Sequence, residues 1–124
     1  MAKKKRRILI VEDDKDINSL LSYNLSRNGF RTESVYDGLV ARDKLARENF
    51  DLVVLDIMLP GVDGFSICKM IKDNISTSQT PVVILSARTQ ALDIIYGETI
   101  GADCYITKPF SIIKLIEIVK ELVV

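Results

Sequence analysis

Ile8-Leu9-Ile10-Val11-Glu12-Asp13-Asp14 reads as a strand that runs straight into a cluster of acids. Its four apolar residues are mostly branched and show no polar alternation. A run of that kind is a strand buried on both faces, as in a parallel sheet covered by helices. The pattern recurs twice along the chain. Leu52-Val53-Val54-Leu55 is followed by Asp56, and Val82-Val83-Ile84-Leu85 by Ser86-Ala87. Two weaker strands flank these. Thr32-Glu33-Ser34-Val35-Tyr36 is polar and alternating, and Cys104-Tyr105-Ile106 is short, as edge strands are.

Helical patterns fill the gaps. Ile17, Leu20, Leu21 and Leu25 recur at helical spacing and stop at Asn28-Gly29, a C-terminal signal. Residues 38–48 are rich in helix formers, with Ala41 and Leu45 four apart. Phe65, Cys68 and Ile71 mark a third helix, followed by a polar loop over 74–80. Leu92, Ile95, Tyr96 and Ile100 mark a fourth, ending at Gly101; Gly97 inside it should cost about 1 kcal/mol against Ala. Residues 111–123 form the fifth. Five strands alternating with five helices make an α/β, doubly wound parallel sheet. Keeping the three apolar runs inside gives strand order 2-1-3-4-5, the flavodoxin-like (βα)5 arrangement.

At 124 residues the chain is expected to be one domain over 1–124, with a basic leader over 1–7. Its 48% hydrophobic and 27% charged residues exclude disorder. Formal net charge is zero, so no direct nucleic-acid or membrane contact is expected. Lys3-Lys4-Lys5-Arg6-Arg7 is read as a solvated terminus, with a phosphate-contacting arm as the alternative. No apolar run nears the ~18 residues of a membrane span, and no secretion signal is present. The cytoplasm is therefore the expected compartment, and Cys68 and Cys104 are read as buried reduced thiols. Without histidine, a zinc site is not expected.

In this strand order the switch point falls between strands one and three, so Glu12, Asp13 and Asp56 emerge at one crevice. Two carboxylates about 4 Å apart repel by roughly 4 kcal/mol at an effective dielectric near 20. Three either hold a proton or recruit a cation. Hard oxygen ligands with room for water favour Mg²⁺. Asp14 is read as a helix cap. Asp56, with no helix pattern behind it, is a candidate nucleophile toward phosphorus, forming an acyl phosphate. Lys108 and Ser86, at the ends of strands five and four, would offer a cation and a hydroxyl to the developing charge. Pro109 should force a tight turn at Lys108, one able to hold a cis bond.

With "ILIVEDD", "LVVLDIMLPGVDG", "PVVILSA" and "ITKPF" in this order and spacing, the chain resembles the receiver domain of two-component response regulators over essentially its whole length. The resemblance implies a sensor histidine kinase or phosphotransfer protein that phosphorylates Asp56. It implies that Asp13 holds Mg²⁺ directly, Glu12 through water, and Met58 by its backbone carbonyl. Ser86 and Lys108 match the family's hydroxyl and phosphate-pairing lysine, and Tyr105 matches an aromatic that turns inward as the hydroxyl moves. Phosphorylation would then reshape the face of helix four, strand five and helix five, toward a protein partner or the chain's own output domain.

The fifth helix carries Ile112, Ile113, Leu115, Ile116, Ile118, Val119, Leu122, Val123 and, at its end, Val124. That is more than one apolar stripe, so a docking surface for a partner or a phosphorylation-linked homodimer is expected, with scattered surface apolar residues as the alternative. The helix is poorer in charge than its counterpart in winged-helix regulators, which argues against their charged dimer contacts. No output domain follows within these residues, which leaves a single-domain regulator or part of a longer one. Three other functions compete. A haloacid dehalogenase type phosphatase needs a second Asp where Met58 stands. A flavin carrier needs a phosphate-cradling loop where the acids stand. A receiver-like module that is never phosphorylated would not need the acids, Ser86 and Lys108 together.

Overall fold

The computed structural model describes residues 4–123. The elements run β1 (Arg7–Val11), α1 (Lys15–Arg27), β2 (Arg31–Val35), α2 (Gly38–Arg47), β3 (Leu52–Leu55), α3 (Gly64–Asp73), β4 (Val82–Ser86), α4 (Ala91–Thr99), β5 (Cys104–Thr107) and α5 (Ile112–Leu122). All strands are parallel, in the order β2-β1-β3-β4-β5. The expected flavodoxin-like topology is the observed one.

Uninterrupted apolar runs hide a period of two. Leu9, Val11, Val53, Leu55, Val82 and Ile84 face one core with Ala41, Leu45, Ile67, Cys68 and Ile71. Ile8, Ile10, Leu52, Val54, Val83 and Leu85 face the other, with Leu21, Leu25, Leu115 and Val119. Because both faces are covered, every position must be apolar, and alternation vanishes from the sequence. Register then aligns the strand ends. Val11 lies beside Leu55, so Glu12 and Asp56 leave the sheet side by side, while β4, with Ile84 beside Leu55, runs on two residues further to Ser86.

Four helices start on side-chain caps. Asp14, Asp37, Asp63 and Ser111 each accept a hydrogen bond from backbone N–H groups of the first turn. Helix α4 does not; Gln90 at its start makes no such bond. Its apolar residues also differ from the expected core stripe. Leu92 is 78% exposed, and Ile95 and Tyr96 are exposed too. The buried residue of α4 is Gly97, where an added Cβ would stand 2.9 Å from Cδ2 of Tyr105. The glycine that weakens the helix is what lets it lie on the Tyr105 ring.

Three further expectations change. Arg7 is not part of a solvated leader but the first residue of β1; its guanidinium bonds Glu33 and, at 2.8 Å, Glu48, and lies 4.6 Å from the centre of the Phe50 ring. Lys4, Lys5 and Arg6 precede the strand exposed, while Lys3 lies outside the described residues. Cys68 is buried, and burial pushes its thiol up to about 11, but Cys104 is only half-buried because β5 is an edge strand with one neighbour. On α5, Leu115 and Val119 are buried, Ile112, Ile116 and Ile118 pack partly against the core, and Ile113 is 69% exposed. Val124 lies outside the described residues.

Candidate functional site

At the carboxyl ends of β1 and β3 the chain leaves the sheet, and the register places Glu12 and Asp56 beside each other. Backbone bonds fix both: Glu12 N–H donates to Val35 O at 3.1 Å, and Asp56 N–H to Val11 O at 2.9 Å. Carboxylate oxygens of Glu12, Asp13 and Asp56 all lie within 4.8 Å of one another. Glu12 and Asp56 are buried, and Asp13 is exposed at the mouth. Asp14 turns away and caps α1 through Asp16 and Ile17 N–H.

Lys108 crosses from the end of β5 into this cluster. Its ammonium donates to Glu12 at 2.6 Å and to Asp56 at 3.1 Å, spanning sequence separations of 96 and 52. The peptide between Lys108 and Pro109 is cis. Burial works against the Lys108 charge, but its bonds to Glu12 and Asp56 outweigh that and raise its pKa. Glu12 behaves oppositely. Loss of water dominates over the Lys108 bond, and with the nearby Asp56 charge it pushes the Glu12 carboxyl up to about 7. Three carboxylates against one ammonium leave an excess of negative charge in a partly dry pocket. A donor set made of carboxylate oxygen fits a hard divalent cation that keeps some of its water.

The other oxygen of Asp56 accepts from Met58 N–H at 3.0 Å, which orients the carboxylate. Met58, Leu59, Pro60, Gly61 and Asp63 form, with Asp13 and Arg88, an open cleft of about 560 Å³. Gly64 lets α3 begin against this loop, since a Cβ there would stand 2.5 Å from Asp56 O and 2.4 Å from Ile57 Cα. Ser86, fully buried at the end of β4, accepts from Arg88 N–H at 3.1 Å. Tyr105, half-buried in β5, donates its hydroxyl to Arg88 O at 2.8 Å, and burial raises its phenol pKa.

Glu12, Asp13, Asp56 and Lys108 therefore meet, and Met58 joins them through its N–H. Ser86 and Tyr105 meet at Arg88 instead. Two residues went unread in the sequence. Asn18 is buried, and its amide donates to Glu12 O at 3.0 Å and Val35 O at 3.2 Å, tying the ends of β1 and β2. A signal existed: Asn18 is three residues before Leu21 and seven before Leu25, a polar group on the buried stripe of α1. Arg88 carried none, being one basic residue in a loop.

Residues 8–120 match the family model described as the response regulator receiver domain. The chain is 38% identical over 117 residues to the uncharacterized transcriptional regulatory protein YclJ of Bacillus subtilis, a match covering 94% of this chain and 50% of that one. It thus spans about half the length of that curated relative. Among solved structures, the receiver domain of the Francisella response regulator 1452 is 36% identical with a TM-score of 0.89, covering 96% of this chain and 97% of that one. The BeF3-activated receiver domain of DrrB, from a Thermotoga maritima OmpR/PhoB homologue, is 34% identical with a TM-score of 0.88 and the same coverage. The acidic pocket corresponds in kind to the one at which receiver domains hold a divalent metal. Among the described residues no helix is long and apolar enough to cross a membrane.

Proposed function

The chain belongs to the response regulator receiver family, and on that premise we propose that Asp56 accepts a phosphoryl group from a sensor histidine kinase or phosphotransfer protein. The observation that carries this reading is the convergence of Glu12, Asp13, Asp56 and Lys108 from distant parts of the chain. An Asp56 oxygen forms a bond to phosphorus as the bond from phosphorus to the donor's histidine nitrogen breaks. The nitrogen keeps the electron pair and takes a proton from solvent. Mg²⁺, held by Asp13, Asp56 and the Met58 carbonyl and by Glu12 through water, would neutralise charge on the phosphoryl oxygens. Met58 N–H keeps the carboxylate oriented while the Lys108 ammonium offsets the negative charge that arrives.

The domain is a regulatory switch rather than a metabolic enzyme, and its own residues support transfer to and slow loss from Asp56. Phosphorylation adds close to two negative charges at the cluster. Ser86 moves toward them, Tyr105 follows, and the face of α4, β5 and α5 changes. Leu92, Ile95 and Ile113, all exposed on that face, would meet an output domain, a separate protein or a second copy of the chain.

Incubation with Mg²⁺ and acetyl phosphate, followed by intact mass measurement, is the test. One base-labile phosphoryl adduct is expected, absent in Asp56→Ala and absent when the metal is chelated. Lack of an adduct on the wild-type chain with any donor overturns the reading.

A further inference from the structure

The loop between β4 and α4 converges on one residue. Arg88 N–H donates to Ser86 Oγ at 3.1 Å, and Arg88 O accepts from the Tyr105 hydroxyl at 2.8 Å. Its guanidinium pairs with Asp93 of α4 at 2.7 Å and lies 5.6 Å from the centre of the Phe65 ring of α3. Phe65 in turn meets Tyr96 of α4 edge-on, with ring centres 4.8 Å apart. We propose that Arg88 is a positioning residue that orients the Ser86 hydroxyl and latches α4 through Asp93.

The chemistry supports both halves. A hydroxyl oxygen that already accepts from Arg88 N–H is left with its own hydrogen free to donate, which is the polarity a phosphoryl oxygen requires. The backbone that gives this bond is held in place by a side chain fastened to α3 and α4. Helix α4 is lightly held otherwise: it has no side-chain cap, Leu92 and Ile95 are exposed, and its packing rests on Gly97 against Tyr105, Tyr96 against Phe65 and Ile100 against the core. A helix with few buried contacts opens locally at low cost, so one ion pair shifts its population measurably. Any movement of Ser86 toward Asp56 pulls on Arg88 and strains the Asp93 pair. Local charge at the acidic cluster thereby reaches a helix that does not touch it.

The inference deepens the switch reading, yet the unphosphorylated chain decides it. Amide hydrogen exchange is followed over residues 87–99 in wild type, Asp93→Asn, Arg88→Ala and the double variant. Each single variant is expected to exchange about threefold faster there, the scale of one partly exposed ion pair. The double variant should be no faster than the quicker single one, because both remove the same interaction. Protection in β1 and β3 should not change, which separates unlatching from general unfolding. Acetyl phosphate still labels Asp93→Asn, since Asp93 lies outside the acidic pocket. Unchanged exchange in both single variants overturns the latch, as does simple additivity in the double. An absent adduct on the wild-type chain overturns the switch reading instead, whatever the exchange shows.

Discussion

Two polar clusters sit at opposite edges of the same sheet, and they are built on opposite charge logic. Toward the amino ends, Arg7 and Lys44 face Glu33 and Glu48. Arg7 bonds both acids, and Lys44 pairs with Glu33 at 3.1 Å and Glu48 at 3.0 Å. Two positive groups meet two negative ones. Burial pushes the Glu33 carboxyl up, but the bonds from Arg7 and Lys44 outweigh it and hold the pKa below its ordinary value. At the carboxyl ends Glu12, Asp13 and Asp56 gather, Lys108 is the one cation among the described residues that pairs with Glu12 and Asp56, and the Glu12 carboxyl is pushed the other way. A balanced cluster fastens strands together. An unbalanced one stores repulsion that a cation or a proton can release, and that stored repulsion is what a binding site looks like before its ligand arrives.

The largest expected effect breaks the comparison open directly. Saturating Mg²⁺ should raise unfolding stability by about 2–3 kcal/mol at a hundredfold excess over its dissociation constant. Asp13→Asn should lose most of that gain. In chelator the same variant should be more stable than wild type by about 1 kcal/mol, because one of three mutually repelling charges is gone. Urea denaturation with and without Mg²⁺ measures both. A variant destabilised equally under the two conditions would mean that Asp13 has a structural task and that the cluster is not under repulsion.

Arg7→Ala is the matching experiment at the balanced edge. It removes the bonds to Glu33 and Glu48 and uncovers part of Phe50, so a loss of about 1–2 kcal/mol is expected. That loss should be the same in Mg²⁺ and in chelator. A metal-dependent loss would show the two edges to be coupled through β1, which joins them.

How legible each edge was in the sequence follows from the same contrast. The acidic cluster could be read because every member follows an apolar run, and strand order alone then gathers them. Arg7 could not. It stands at the end of a string of basic residues, and only the fold reveals that Glu33 and Glu48, from β2 and the end of α2, reach it. Asp93 and Arg88 were equally silent, since an ion pair across a loop leaves no periodic trace. The stripe on α4 misled for a different reason. Leu92, Ile95 and Tyr96 have helical spacing, but the helix turns them outward and buries Gly97, and spacing cannot say which stripe faces in. The alternating cores of β1, β3 and β4 were hidden by being covered on both faces, yet that concealment was itself the signal for a parallel sheet.

Proton linkage separates the edges most finely. Glu12 has a folded pKa of about 7, above its ordinary 4.5. An acid raised on folding contributes stability that is complete below its ordinary value and lost as pH rises through the folded one. Glu33 is depressed, so its contribution is complete above its ordinary value and lost as pH falls through the folded one. Lys108, raised above 10.5, changes nothing near neutrality. Without divalent cations, stability should therefore fall by about 1–2 kcal/mol between pH 5 and pH 8, against the usual expectation for a chain of paired carboxylates. Saturating Mg²⁺ should flatten or reverse that slope, because a divalent cation beside Glu12 favours its carboxylate over its protonated form. Arg7→Ala should leave the slope between pH 5 and pH 8 intact and weaken the protein's dependence on pH only in acid. Urea midpoints at pH 5, 6, 7 and 8 read the difference, and a metal-free profile that rises toward pH 8 would place the excess charge somewhere other than Glu12.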